Sequence, residues 1–468
     1  MLALAVAGCG GGDSAVPEEE EPLVTYFNNG HLLIGDGSEV IRDAALVVND
    51  GIITDFGPRA DVSYPPGADS YDLSDHTMIP FLTNVHGHAG YARGTTYGTD
   101  NYSVQSAQID LNRYLYYGVG AVALMGTDIN GVGNEIKTMH EGSLEPHVIV
   151  YTGGRGITAR GGFPTTVAGL EDMPYEVSSE AEARAAVEEL ASLDVDFVKI
   201  WVDDNRRGIR RVFRFAREVT EYGTDPKLSP ALFGAIIDEA TQAGIPVVAH
   251  VKTLADAKAL VAAGVSGLLH SIRDRAVDQE LIDAMLANDV FFTPTLARHQ
   301  IDFVFGDEPD WLREPALRES APGAMLSRLT SSAIVRDYGE NLNDADRRRE
   351  FETAMSNFKT FYDAGIRMGL GSDAGATNTF PGYFEHLEME LMVEAGLTPL
   401  ESLRLGIEAS AAILGADEMG PIEVGKPGHF LIVPGDPSAD ISESRNIAEV
   451  FYRGELIDRS TMMVDFRN

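Results

Sequence analysis

His86 and His88 stand two residues apart at the end of the apolar run 78–85. Two residues is the side-chain repeat of a β-strand, so both imidazoles leave the backbone on the same side. A buried strand ending in two same-facing histidines offers half of a divalent metal site. In a chain of 11 histidines a chance His-x-His is not rare, so the pair takes its meaning from its company. That company is Lys199 in DFVKIW, His250 in VVAHV, His270 in GLLHS and Asp373 in GLGSD. Each ends or interrupts an apolar run. Singly they have ordinary explanations: a satisfied core histidine, a lysine that snorkels or pairs with Asp203, an aspartate that caps the next helix. Four histidines, a lysine and an aspartate all at strand ends are not explained that way. Together they raise the pair at 86 and 88 to a candidate metal site.

Elements must exist to carry these residues. Apolar runs at 78–85, 120–125, 147–152, 196–202, 246–251, 266–270, 290–295 and 367–372 read as strands. Helical patterns lie between most of them, as at 181–193, 232–243 and 254–263. Eight strands alternating with helices predict an α/β fold, a (β/α)8 TIM barrel, whose chemistry sits at the C-terminal ends of the strands. An open doubly wound sheet is the alternative, and the scattered strand-end polar residues favour the barrel. Residues 23–76 read instead as short strands separated by Asn29-Gly30, Asp36-Gly37 and Asp50-Gly51, which are hairpin signals. The chain turns β-rich again after about 415. Two β-rich ends predict a small composite β-sandwich domain, with parts at 23–80 and 416–468 around a barrel at 81–415. The stretch 296–345 is long for a loop and reads as a lid.

The chain has 468 residues, 44% hydrophobic, enough for a sizeable core. Its 72 acidic and 36 basic side chains give a net charge of −36, which disfavours nucleic acid and anionic membrane surfaces as partners. A small-molecule substrate is expected. The single cysteine, Cys9, excludes an internal disulfide. Val6-Ala7-Gly8-Cys9 resembles a bacterial lipobox, which implies cleavage before Cys9, lipid on its thiol and a place in the cell envelope facing the periplasm. No basic residue precedes the apolar run, where a secretory signal ordinarily has one. Residues 10–22 read as a flexible acidic tether that completes a 1–22 leader and linker.

Over about 23–468 the chain resembles the amidohydrolase superfamily, in particular its imidazolonepropionase- and prolidase-like members. The resemblance is carried by IPFLTNVHGH, DFVKIWVDD, GIPVVAHV, AGVSGLLHSIRD, GLGSDAG, VEAGLTPLESL and VGKPGHFLIVPGDP. It implies that His86, His88 and Asp373 hold one metal and His250 and His270 the other, bridged by Lys199 as a carbamate made with CO2. Zinc suits these ligands best, with manganese, cobalt or iron as alternatives. The two ions would generate hydroxide at neutral pH, with Asp373 as general base and acid, to cleave an amide or related C–N or ester bond. Dipeptides and N-acyl amino acids are the expected substrates. A cyclic amidase, lactonase or phosphotriesterase is the second reading. An inactive envelope metal-binding or scaffold protein is a third, against which the intact Asp373 argues. For substrate contacts, Arg273 and Arg275 could receive a carboxylate, or pair with Asp274. Trp201 and His299 could line the pocket, or pack in the barrel. Phe163 takes a place where the family often has a histidine. The remaining histidines, His31, His76, His140, His147, His386 and His429, read as structural.

Overall fold

The computed structural model describes residues 23–204, 207–209, 221–340 and 344–466. Cys9 and the rest of the 1–22 segment lie outside the described residues. Both chain ends build one eight-stranded sheet. Phe430–Pro434 from the C-terminal part pairs antiparallel with His76–Pro80, which pairs with Val24–Leu32. Alternation puts Phe27, Leu46 and Val48 on one face and Tyr26, Ala45 and Val47 on the other. The first face closes on itself: the Phe27 ring meets Phe430 and Phe451 edge-on at 4.9 and 5.0 Å.

Two local expectations are corrected here. Asn29-Gly30 is not a hairpin turn. Val24–Leu32 runs straight through it as one strand, with shifts in register on either side of Gly30. Asn29 has φ 64°, and a Cβ on Gly30 would stand 2.7 Å from that of Leu73. The same left-handed freedom that makes a turn here makes a bulge. Asp50-Gly51, with φ 49° and 80°, does turn the chain between Ile41–Asn49 and Ile52–Pro58. The run 78–85 is likewise two strands. His76–Pro80 belongs to the composite sheet and Leu82–Gly87 to the barrel. An unbroken apolar run carries no mark of where the chain passes between sheets.

The barrel is a ring of parallel neighbours. Leu82–Gly87, Val119–Leu124 and Ile149–Thr152 pair in that order. Val198–Val202, Val247–Val251, Gly267–Leu269 and Phe291–Thr293 make the other arc. Asp196 N–H donates to Thr152 O at 2.9 Å and joins the two arcs on one side. On the other side the eighth stretch is held by Gly369 N–H to Phe292 O at 3.2 Å and Val85 N–H to Leu370 O at 2.8 Å. It forms bridges rather than a regular ladder. Val119–Leu124, Val198–Val202 and Val247–Val251 are buried along their whole length, as parallel strands covered on both faces must be, while Ile149 and Tyr151 of the third strand are partly exposed. The helices begin at side-chain caps: Ser179, Ser229 and Thr253 accept N–H groups from Glu182, Leu232 and Asp256. The stretch read as a lid loop is mostly helical, with Leu296–Gln300, Pro315–Ser320, Gly323–Leu329 and Ser332–Gly339, and of its residues Arg298, His299 and Asp302 line the cavity.

Candidate metal centre and active site

All six strand-end residues face one cavity of about 600 Å³ at the C-terminal rim of the barrel. Asn84 Oδ1 accepts the backbone N–H of His86 at 2.8 Å and fixes the end of the first strand. His88 Nε2 lies 2.7 Å from Asp373 Oδ1, and His86 Nε2 lies 3.4 Å from the same oxygen. His88 Nδ1 is held by Thr127 Oγ1 at 2.9 Å. Across the floor the His86 and His270 rings are 4.6 Å apart, and the His270 and His250 rings 4.1 Å. Among the described residues, His86, His270 and Asp373 offer ligand atoms within 4.8 Å of one another. His270 and Asp373 have φ 68° and 57°. Left-handed backbone is costly outside glycine, and here it ends each strand so that the side chain turns inward.

Burial governs the electrostatics. It holds the imidazoles of His86 and His270 well below their ordinary value, with Lys199 and neighbouring imidazoles adding to the effect. His250 is lowered by burial as well, against the pull of Asp203. These rings are therefore neutral near pH 7 and have lone pairs to offer. Burial opposes ionisation of Asp373, yet its carboxyl lies below the ordinary carboxylate value. With His86 neutral, the hydrogen bond from His88 and the Arg298 guanidinium at 3.6 Å are the attractions that count.

Lys199 is 1% exposed and its Nζ has no hydrogen-bond partner. Burial pushes it down to about 7, against an opposing pull from Asp373. An unpartnered lysine and the orphaned Nδ1 of His86, set among neutral imidazoles and a carboxylate, fit a centre built for cations.

Asp203 does not pair with Lys199. Its Oδ2 stands 2.9 Å from His250 Nε2, which leaves Nδ1 of that ring for the cavity. Thr295 Oγ1 does the same for His270, at 2.9 Å from Nδ1. Trp201, His299 and Arg273 line the cavity; Arg275 does not, and pairs with Asp274 at 2.8 Å. Arg273 lies 3.2 Å from His299 Nε2 and 3.7 Å from Glu350. Arg298, Lys252 and Arg347 add cations to the lining, and Asp203, Asp302, Asp346 and Glu350 add acids. Phe163, Val167, Leu170, Met173 and Trp201 make the opposite wall apolar. His386 and His429 are buried far from the cavity lining, bonded to Ser444 and stacked on Phe81.

Sequence reasoning missed Asn84, Thr127, Thr295, Arg298, Glu385 and Glu388. Only the last two left a trace. They are acids three residues apart on a helix, Tyr383–Glu394, whose residues beside them at helical spacing, Phe384, Met389, Leu391 and Met392, are apolar. Both are fully buried. Glu385 Oε1 accepts from Asn84 and Ser372, beneath the first and eighth strands.

Residues 77–457 match the profile described as the Amidohydrolase family. The chain is 24% identical to ochratoxinase of Aspergillus niger over 94% of its own length and 88% of that enzyme's. Among solved structures it resembles a Xaa-Pro dipeptidase with bound methionine, at TM-score 0.70 and 21% identity, covering 93% of this chain and 99% of that one. It also resembles molinate hydrolase, at TM-score 0.67 and 19% identity, covering 94% and 96%.

Proposed function

The chain belongs to the amidohydrolase family and is a metal-dependent hydrolase of C–N bonds; on that premise we propose that it cleaves dipeptides or N-acyl amino acids bearing a free carboxylate. The observation that carries this reading is the two-sided cavity. Phe163, Val167, Leu170, Met173 and Trp201 form an apolar wall suited to an acyl group or side chain. Arg273, Arg298, Lys252 and Arg347, set among Asp203, Asp302, Asp346 and Glu350, supply cations that could receive a carboxylate. The reacting amide would lie between them, over the histidines.

His86, His88 and Asp373 would hold one divalent ion, and His250 and His270 a second. Zinc fits this donor set, and Lys199 would bridge the pair. A carbamate on Lys199 is supported by its burial, its unpartnered Nζ and its lowered affinity for protons. The neutral amine adds to CO2, loses one proton and becomes an anion with two oxygens. When bound, the ions supply an acidic water at neutral pH and polarise the substrate carbonyl. Asp373 takes the proton that water gives up as its oxygen attacks the carbonyl carbon. It then returns that proton to the nitrogen as the C–N bond breaks. The apolar wall keeps bulk water from the amide.

The test is a screen of N-acyl amino acids against the same compounds with the carboxylate amidated, beside lactones and phosphotriesters. Free acids should be turned over at least tenfold faster than their amides. Equal rates, or a preference for lactones or phosphotriesters, would overturn the reading. The lipobox-like tetrapeptide ending in Cys9 supports export and lipid anchoring in the cell envelope. No helix among the described residues is long and apolar enough to cross a membrane. Wild type should therefore partition with membranes and Cys9→Ser should not; a wild type found wholly in the soluble fraction removes the anchor.

A further inference from the structure

The strand-seven side of the centre is held from below by a side chain outside the cavity. After Phe291–Thr293 the chain makes a sharp bend at Thr295 and enters Leu296–Gln300. Thr295 has φ 52° and ψ 47°, a conformation that a β-branched residue adopts only when its surroundings enforce it. Its own side chain caps nothing. Instead Glu388 Oε1 accepts the N–H of Leu296 at 2.7 Å, and Glu388 Oε2 accepts that of Ala297 at 2.6 Å. Glu388 is fully buried on Tyr383–Glu394. Burial raises its carboxyl to about 8, against the pull of these two bonds; both of its oxygens accept here, which a glutamine amide cannot match.

The bend sets a chain of hydrogen bonds. Arg273 Nη1 and the backbone N–H of Ser271 only donate, so His299 Nε2, at 3.2 and 3.4 Å from them, accepts. Thr295 Oγ1 lies 3.4 Å from the same Nε2, so its proton points there. Its lone pair then receives a proton from His270 Nδ1 at 2.9 Å. His270 is thereby the Nδ1–H tautomer, with the Nε2 lone pair left for the cavity.

We propose that Glu388 is a positioning residue: it locks Thr295 in the bend from which the hydroxyl sets the tautomer and direction of His270, and so sets metal affinity at the His250–His270 half of the centre. The proposal rests on the reading of those two histidines as ligands. It assigns no step of the reaction to Glu388, which touches neither substrate nor metal.

The experiment uses Co²⁺ as probe. Full-length wild type, Glu388→Gln, Thr295→Val, Thr295→Ser and the Gln/Val double variant are titrated against a competing chelator, read by cobalt visible absorbance, with circular dichroism as the check on folding. Glu388→Gln turns an N–H group toward an N–H group, and Thr295→Val removes the hydroxyl. Each should weaken one cobalt equivalent by about 10–100-fold, and Thr295→Ser should restore it. The double variant should be no worse than the weaker single one, because both act along one path. Affinities within twofold of wild type, or losses that multiply in the double variant, overturn the proposal. Should Glu388→Gln not fold, Glu388→Asp, a carboxyl one methylene short, is judged by the same criteria. If neither folds, Glu388 is a general stability residue and the proposal falls. A wild type that binds no cobalt refutes the metal centre itself, a result distinct from unaltered variants of a wild type that binds.

Discussion

Lys199 and Asp373 both line the cavity, but their chemistry separates holding a metal from moving a proton. Lys199→Ala removes the bridging anion, so metal and activity should fall together. Bicarbonate or a short carboxylic acid should return part of both. Asp373→Asn keeps an oxygen at the site and should retain much of the metal, while turnover drops on the order of 10²–10⁴-fold. Metal analysis beside initial rates distinguishes the two. Lys199→Ala with full metal and near-normal rates would make Lys199 an ordinary packed residue. Glu385 predicts a pH effect of its own. Burial raises its carboxyl from 4.5 to about 7, against hydrogen bonds from Ser372 and Asn84. A raised acid favours the folded state most when protonated. Its contribution is complete below about 4.5 and is lost as pH rises through about 7. Across that window metal-free wild type should lose up to about 3 kcal/mol relative to Glu385→Gln in denaturant unfolding. Parallel stability curves for the two proteins would refute this.

At the scale of elements, the eighth barrel stretch stands out because it joins the ring through glycines. A Cβ on Gly371 would stand 2.2 Å from Thr293 Cγ2 and 2.8 Å from His86 Cβ. The close approach lets Asp373 reach His88 across the first strand. Gly371→Ala should therefore cost about 1–3 kcal/mol by overpacking. Because the push falls on His86, it should also weaken metal binding. Thermal unfolding and metal titration read the two effects. Unchanged values in both would mean that the eighth stretch has slack. The Tyr383–Glu394 helix braces three consecutive strands of the ring. Glu385 braces the first and eighth strands and Glu388 the bend after the seventh.

Over the whole molecule, the barrel and the composite sheet share the strand boundary at Phe81, whose N–H donates to His429 O at 3.3 Å. The C-terminal strands are thus not an appendage. Deleting 426–468 strips Phe430–Pro434 from His76–Pro80 and uncovers Phe27. The shortened chain should lose cooperative unfolding and bind a hydrophobic dye. A sharp, wild-type-like melt of that chain would show that the barrel folds without the sheet.

The fold class was legible in the sequence because period and run length are local properties. Buried parallel strands read as apolar runs, and helices showed as the patterns at 181–193, 232–243 and 254–263. The polar residues at the strand ends were legible for the same reason: each interrupts an apolar run. Strand boundaries were less so. The run 78–85 has one texture but feeds two sheets, and Asn29-Gly30 encodes a left-handed residue without saying whether it turns or bulges. The partners of the site residues depend on side chains distant in sequence. Asp203 goes to His250 and not to Lys199, 199 being nearer in sequence. Glu388 reaches across 92 residues to Leu296. Arg298, on the short helix after the seventh strand, meets Asp373 at the end of the eighth. Periodicity fixes which way a side chain leaves its own element; what it then meets is decided by packing between elements, and so the hydrogen bonds that set tautomers, and the burial that sets charge, belong to the tertiary structure.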